Sequence, residues 1–307
     1  MNAPGSHNVQ MEEVRLSPEQ GIDLFCRIWE PATTSQEQTD TAKTLFLVHG
    51  ACEYGERYER FVMNAIGNGW RVIAPDLRGH GHSTGDYVHV LHFDQYVSDL
   101  RFLMKSLNCC SSRTVLVGCS MGGLISIRYI QQQAGVQADP LCCSLMLLSP
   151  FLGLKLPVAA WKIFAGKLLS RFKPETRFSS TIDPEILTHD AEAIQIRKLD
   201  HLIRKQVSAR WFIESAHAIR TAFSEIDQYL IPTLILQSGE DQVVDPLATK
   251  AWTDLVNQNQ NQNQNKKQKA SPIELQILPG WYHEVLRETY WREAASRLLD
   301  FADQQLK

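Results

Sequence analysis

The chain has 307 residues, of which 44% are hydrophobic and 21% charged, with a formal net charge of -3. This balance is typical of a soluble globular protein, and the absence of a basic excess argues against a nucleic-acid partner. The N-terminus does not resemble a signal peptide, and no apolar run reaches the ~18 residues of a membrane-spanning helix, so we expect a cytoplasmic protein.

Strand-like and helix-like segments alternate along most of the chain. Residues 11–17 and 22–31 predict an antiparallel pair of strands that ends at Pro31. Short, continuous apolar runs of the kind that is buried in parallel sheets then begin at Thr44, Arg71, Thr114, Ser144, Thr233 and Ile273. Helical patterns lie between them, and residues 290–307 predict a closing amphipathic helix. The pattern predicts an α/β fold, a mostly parallel sheet with helices on both faces.

Residues 151–227 interrupt the alternation, because they contain helix-like segments but no clear strand. We therefore predict a helical cap at 151–227, inserted into a core that comprises residues 1–150 and 228–307. The Asn/Gln-rich tract at 257–265 is a second irregularity. Its low complexity favours a solvated loop over a partner-binding or aggregating segment.

The strongest chemical signal is Gly-x-Ser-x-Gly at residues 118–122, between a predicted strand and a predicted helix. In that context the motif is typical of a nucleophile elbow, a sharp turn that holds a serine in strained geometry. The free N–H groups at the start of the following helix favour developing negative charge. Ser120 is therefore the predicted nucleophile.

A serine nucleophile needs a histidine base and an acid that orients it, each on a loop after a strand. Of the histidines downstream of Ser120, only His283 follows a predicted strand, so it is the expected base. Asp241 lies just beyond the preceding strand and is the favoured acid, with Asp245 and Glu240 as alternatives. Asp245 precedes a proline and better suits the start of the next helix.

Two backbone N–H groups are expected to form the oxyanion hole. One belongs to Met121, the residue after the nucleophile, and the other to the loop after the third strand, where Ala51 is our choice. His49 lies in the same loop, but it precedes the nucleophile, so we expect it to shape the loop rather than to act as the base.

Five motifs in this order resemble the monoacylglycerol lipase and bacterial lysophospholipase family of α/β-hydrolases. They are HGACEYGERYERF, APDLRGHGHSTG, GCSMGG, SGEDQVVD and PGWYHEVLRE. The resemblance runs from about residue 20 to the C-terminus. It implies an α/β-hydrolase fold, and it places the nucleophile, acid, base and oxyanion donors at Ser120, Asp241, His283, Ala51 and Met121.

The resemblance also covers Glu53, Arg57 and Tyr58, in a loop that lies near the glycerol end of the substrate in lipases of this type. Structural support of the loop is the alternative role for all three residues. Two positions depart from the pattern of the family: Cys52 stands where the family commonly has glycine, and Tyr54 stands where histidine is frequent.

The first cap segment carries an apolar stripe that includes Trp161 and Phe172, with basic residues off the stripe. The stripe either packs onto the core, lines an acyl tunnel or touches a membrane surface. Trp161 and Phe172 are therefore candidate substrate-binding residues, and peripheral membrane contact through the cap is a candidate interaction.

Together these features predict a serine hydrolase that cleaves carboxylic esters of single-chain lipids, a monoacylglycerol or a lysophospholipid, through an acyl-enzyme. The alternatives are an esterase, thioesterase or peptidase that acts on small substrates by the same mechanism, and a non-catalytic binding protein. No cofactor or metal is expected, because every reacting group is a protein group, and no obligate protein partner is indicated. Seven cysteines, an odd number, favour free thiols in a reducing compartment.

Overall fold

A computed structural model describes residues 9–32, 42–135, 140–156, 160–179, 182–262 and 273–306. The strands are β1 (Val9–Glu19), β2 (Ile22–Pro31), β3 (Thr44–Val48), β4 (Arg71–Pro75), β5 (Thr114–Cys119), β6 (Ser144–Leu148), β7 (Arg177–Ser179), β8 (Gln206–Ser208), β9 (Thr233–Ser238) and β10 (Ile273–Leu278). Eight of these strands form one sheet in the order β1-β2-β4-β3-β5-β6-β9-β10. The pairs β1–β2 and β2–β4 are antiparallel, and the pairs from β4 to β10 are parallel.

The described residues form eight α-helices, and those outside the segment between β6 and β9 cover both faces of this sheet. The eight helices are α1 (Glu59–Gly67), α2 (Asp94–Ser106), α3 (Met121–Gly135), α4 (Ala160–Phe172), α5 (Ala191–Leu199), α6 (Ala209–Ser224), α7 (Pro246–Gln262) and α8 (Trp291–Gln305). One hydrophobic core lies between the sheet and α2, α3 and α7, and a second lies beneath α1 and α8. Within the described residues, no helix is long and apolar enough to cross a membrane.

The strand β3 explains why the central strands read as continuous apolar runs. Phe46 and Val48 point into one core, whereas Leu45 and Leu47 point into the other, and all four side chains are fully buried. A strand covered on both faces has no solvent-facing side, so polar residues do not alternate with apolar residues along it. The predicted α/β-hydrolase fold is confirmed by this topology.

The residues between β6 and β9 include α4, α5 and α6. They also contain a short antiparallel pair, β7 with β8, so the expectation of a strand-free segment was wrong. Each of these strands has three residues, too few to produce a recognisable alternation. Trp211 of α6 packs into the core beside α3. The segment therefore meets the carboxyl edge of the sheet.

The Asn/Gln-rich tract is helical over residues 257–262, so the loop expectation was wrong there, and residues 263–265 lie outside the described part of the chain. The Asn257 side chain accepts from the Ile273 N–H and donates to the Ile273 carbonyl, at 2.8 and 3.1 Å. Gln260 is 3% exposed and donates to the Tyr229 carbonyl. The amides satisfy backbone groups, a tertiary role that composition cannot reveal.

Candidate active site

Ser120 lies at the sharp turn between β5 and α3. Its backbone has φ of 50°, a left-handed conformation that is rare for a residue with a side chain. A Cβ at Gly122 would lie 2.1 Å from the Val48 carbonyl oxygen, and one at Gly118 would lie 2.7 Å from the Gly123 Cα. The flanking glycines are therefore required by backbone contacts on both sides of the serine.

The structure brings Ser120, His283 and Asp241 into one hydrogen-bonded chain. The Ser120 Oγ lies 2.9 Å from the His283 Nε2, and the His283 Nδ1 lies 2.7 Å from an Asp241 carboxylate oxygen. Because the carboxylate can only accept, Nδ1 donates and Nε2 accepts the hydroxyl proton. The three residues follow β5, β10 and β9, whose parallel direction brings their carboxyl ends to one edge of the sheet.

The hydrogen bonds of Asp241 distinguish it from the two alternative acids, Asp245 and Glu240. The second Asp241 oxygen accepts from the N–H groups of Val243 and Val244, at 2.8 and 3.0 Å, and the side chain is fully buried. The Asp245 carboxylate instead accepts from the Leu247 N–H at the start of α7. Among the three candidates, Asp241 is the carboxylate that contacts His283.

Burial and charge act in opposite directions on this pair. Burial by itself would lower the pKa of His283, but the charge of Asp241 and its hydrogen bond raise that pKa above its ordinary value. Burial would raise the pKa of Asp241, yet the charge and hydrogen bond of His283 and two backbone N–H groups lower it. Both shifts favour the imidazolium–carboxylate pair over the pair of neutral groups.

The loop after β3 faces Ser120. Ala51 and Met121 both line the cavity at Ser120, and in the described part of the chain neither N–H donates to a protein acceptor. A Cβ at Gly50 would lie 3.1 Å from the Ser120 Cβ, so the loop backbone is pressed against the elbow. Cys52 adopts φ of 57°, a left-handed conformation that glycine adopts more readily than a residue with a side chain. The two free N–H groups can accommodate an oxyanion.

His49 lies beneath this loop. Its Nε2 accepts from the Leu77 N–H at 2.9 Å, and its Nδ1 lies 2.7 Å from the Gly50 carbonyl oxygen. Burial lowers the pKa of His49 to about 4, so the ring is neutral at physiological pH. His49 thus supports the loop and lies outside the Ser120 hydrogen-bonded chain.

A cavity of about 430 Å³ opens above Ser120 between the sheet edge and the segment that joins β6 to β9. Its wall is largely apolar and includes Phe151, Leu156, Phe178, Leu187, Val207, Trp211 and Phe212. Arg197, Lys205, Glu53 and Glu284 add the charged groups. Such a cavity has the size and character of a small-molecule binding site.

The predicted stripe on α4 does not line this cavity at Phe172, whose side chain is 69% exposed. Among residues 165–172 of α4, whose side chains the structure describes, the buried residues are the small Gly166 and Ser170, which lie against α6. Phe172 and Leu168 lie on the opposite face of the helix. The Trp161 side chain lies outside the described part of the structure.

Glu53, Arg57 and Tyr58 form a buried cluster behind the oxyanion loop. The Glu53 carboxylate accepts from the Gly50 N–H and from the Tyr58 hydroxyl, and its other oxygen lies 3.7 Å from the Arg57 guanidinium. All three side chains are less than a tenth exposed. These contacts favour structural support of the loop, although Glu53 also lines the cavity.

Sequence reasoning missed two charged residues at the site. Glu284 follows His283 directly and forms ion pairs with Arg57, Arg197 and Arg287. Its position beside the base was a signal in the sequence. Arg197 had no such signal, because it lies in α5, far from every motif in the chain.

The model of the serine aminopeptidase S33 family matches residues 39–290, which is most of the chain. The chain therefore belongs to this family of α/β-hydrolases, and the resemblance noted from its motifs is confirmed. With this fold and these relatives it is an enzyme, a carboxylic ester hydrolase.

Individual relatives agree with this placement. The chain is 27% identical to phospholipase YtpA of Bacillus subtilis over 85% of this chain and 95% of the relative. It is 29% identical to human monoglyceride lipase over 87% and 82% of the two chains. Among solved structures, a monoglyceride lipase variant from Saccharomyces cerevisiae matches with a TM-score of 0.79 and 18% identity over 100% of both chains. At that identity the structural match shows the fold alone.

Proposed function

We propose that this enzyme hydrolyses carboxylic esters of single-chain lipids, monoacylglycerols or lysophospholipids, through an acyl-enzyme intermediate. The observation that supports this proposal best is the Ser120–His283–Asp241 hydrogen-bonded chain at the floor of an apolar cavity. The names of the relatives, a phospholipase and a monoglyceride lipase, agree with lipid esters as the substrate class.

In the first half of the reaction, His283 Nε2 takes the hydroxyl proton as Ser120 Oγ attacks the ester carbonyl carbon. The resulting oxyanion accepts hydrogen bonds from the Ala51 and Met121 N–H groups. Such donors are already in place before the reaction and contribute about 3–4 kcal/mol each in enzymes where one has been removed. His283 then gives its proton to the leaving alcohol, and Ser120 stays acylated.

In the second half, water repeats the attack on the acyl-enzyme carbonyl. His283 takes a proton from this water, and the carbon–oxygen bond to Ser120 breaks as the proton returns to the serine oxygen. The products are the free acid and the unmodified enzyme. Asp241 orients the imidazole and stabilises its charged form throughout both halves.

The cavity favours a fatty chain over a small acyl group. Its apolar wall can remove methylene groups from water, and each buried methylene contributes about 0.8 kcal/mol. A peptidase that binds a free amino terminus needs a carboxylate whose negative charge is not already neutralised by cations of the protein itself. Here Glu284 is matched by three arginines and Glu53 faces Arg57, so neither is suited to that task.

The test is a panel of monoacylglycerols, lysophospholipids and short p-nitrophenyl esters, combined with labelling by a fluorophosphonate. Ser120→Ala should abolish both labelling and turnover. Ser111→Ala, at an exposed serine outside the site, is the matched control and should change neither. Esterase activity that survives in Ser120→Ala would overturn the proposal, and a preference for short esters would favour the small-substrate alternative.

We also propose that the cap segment, residues 151–227, contacts a membrane surface through α4. Leu168 and Phe172 are 53% and 69% exposed on one side of this helix. Lys167, Arg171 and Lys173 lie beside them and are exposed as well. Apolar side chains flanked by cations bind at anionic lipid interfaces.

Sedimentation with phosphatidylcholine vesicles that contain phosphatidylglycerol tests this contact. Phe172→Glu should reduce the bound fraction, because it places an anion at the interface. Leu247→Glu is the control, since Leu247 is 73% exposed on α7, outside the cap. Equal losses in both variants, or no loss in either, would contradict contact through α4.

A further inference from the structure

Arg197 is a cap residue that contacts both loops of the active site. It lies near the C-terminal end of α5, and its side chain is 12% exposed. One guanidinium nitrogen donates to the Glu284 carboxylate at 2.7 Å, and the other donates to the Cys52 carbonyl at 3.3 Å. A planar guanidinium makes these contacts from two separate nitrogens held in a fixed geometry, whereas an ammonium group has to donate from one nitrogen.

The two partners of Arg197 are the immediate neighbours of reacting groups. Glu284 follows His283 along the chain, and Cys52 follows Ala51, whose N–H faces the oxyanion. The oxyanion loop and the histidine loop come from β3 and β10, which are not adjacent in the sheet. Arg197 therefore connects these two loops from the side of the cap.

We infer that Arg197 is a positioning residue. When the cap is packed on the core, Arg197 fixes the position of the oxyanion loop relative to the His283 loop. This inference rests on the proposed hydrolase mechanism and adds to it a role for the cap in organising the site. A displacement of about 1 Å in a reacting group can cost a factor of about 10² in rate. The loss of this one side chain should therefore lower turnover without removing any reacting group.

Arg197 also affects the balance of charge around His283. The charged groups that face His283 are Asp241, Glu284 and Glu53, and all three raise its pKa. Burial would raise the pKa of Glu284, but Arg197, Arg57 and Arg287 together lower it to about 2. Without the cation at position 197, the Glu284 charge is less compensated, which raises the pKa of His283 further. The loss of activity at low pH should then begin at a higher pH.

The chain offers a matched control at the other end of α5. Arg60 of the core forms ion pairs with Asp190 and Glu192, at the start of the same helix. Asp190 also caps this helix by accepting from two of its N–H groups. Arg60 thus fastens the cap to the core as Arg197 does, but its partners are remote in sequence from Ser120 and His283.

The experiment compares Arg197→Gln, Arg197→Lys and Arg60→Gln with the unchanged enzyme on a short p-nitrophenyl ester, over a range of pH. Thermal melts of all four proteins test whether each variant is folded. Arg197→Gln should lower kcat by roughly 10- to 100-fold with a smaller change in KM, and should move the acidic limb of the pH profile upward. Arg197→Lys keeps the charge, so its acidic limb should match that of the unchanged enzyme while kcat stays partly reduced. Arg60→Gln should change neither.

Two results would overturn the inference. In one, Arg197→Gln has the same melting temperature, kcat and pH profile as Arg60→Gln. In the other, it loses activity only in proportion to lost folded protein, with the pH profile unmoved in the fraction that stays folded. If the unchanged enzyme hydrolyses neither this ester nor any monoacylglycerol or lysophospholipid of the panel, the proposed function itself has failed, which separates the two conclusions.

Discussion

Replacing Asp241 by asparagine should disable the base while leaving the fold in place. One Asp241 oxygen accepts from the N–H groups of Val243 and Val244, so an asparagine would keep its oxygen there and turn its NH₂ group toward His283. The His283 Nδ1 would then have to accept, which places the ring proton on Nε2. In that tautomer Nε2 donates to Ser120 and cannot take its proton.

The expected magnitude follows from this tautomer change. A triad aspartate replaced in this way lowers turnover by roughly 10⁴-fold, which corresponds to about 5 kcal/mol of transition-state stabilisation. Steady-state kinetics on a p-nitrophenyl ester measures kcat, and a thermal melt verifies that Asp241→Asn is folded. Fluorophosphonate labelling should slow to a similar degree, because it needs the same activated oxygen.

The matched control is Asp245→Asn. Asp245 contacts the Leu247 N–H at the start of α7, and an asparagine can make the same contact. This variant should keep kcat within a few-fold of the unchanged enzyme. A folded Asp241→Asn enzyme with nearly full activity, or a larger loss in Asp245→Asn, would refute the assignment of the acid.

Three further outcomes are expected. Because the pKa of His283 is raised above 6.5 and the base must be neutral, the acidic limb of kcat/KM should inflect above pH 6.5, and an inflection below that value would contradict the site electrostatics. Phe178→Glu should flatten the dependence of kcat/KM on acyl-chain length, because Phe178 lines the cavity, whereas Phe172→Glu should not; the reverse result would place the acyl chain on α4. Asn257→Ala should destabilise the protein by about 1–2 kcal/mol in urea unfolding, because it removes two hydrogen bonds to β10, and Gln262→Ala, at an exposed site, should have little effect.

Local pattern was sufficient to locate the main elements of the sheet. The apolar runs that begin at Thr44, Arg71 and Thr114 were read as buried parallel strands, and each is a strand of the sheet. Such a strand must be apolar on both faces, so burial leaves a signal in the sequence itself. The elbow around Ser120 was visible for the same kind of reason, because each flanking glycine meets a local steric demand.

Local pattern failed where distant residues decide the outcome. The stripe through Phe172 has helical spacing, yet α4 packs through Gly166 and Ser170, since close approach to α6 favours small residues. The tract that begins at Asn257 has the composition of a loop. Yet the Asn257 amide pairs with the Ile273 backbone in β10, and the Gln260 amide pairs with the Tyr229 backbone ahead of β9. Spacing and composition describe one segment at a time and do not identify its neighbour.

The sequence alone determined the fold class and predicted the nucleophile and the order of the reacting residues, because backbone sterics and strand burial restrict residue types at fixed local positions. Only the tertiary structure showed the contact between Asp241 and His283 and the residue of α5, Arg197, that contacts both loops at the site. The proline after Asp245 favours Asp241 as the acid, but the contact itself depends on where the loop after β9 directs each carboxylate oxygen. Arg197 pairs with groups 87 and 145 residues away, and contacts at such separations are made by folding alone.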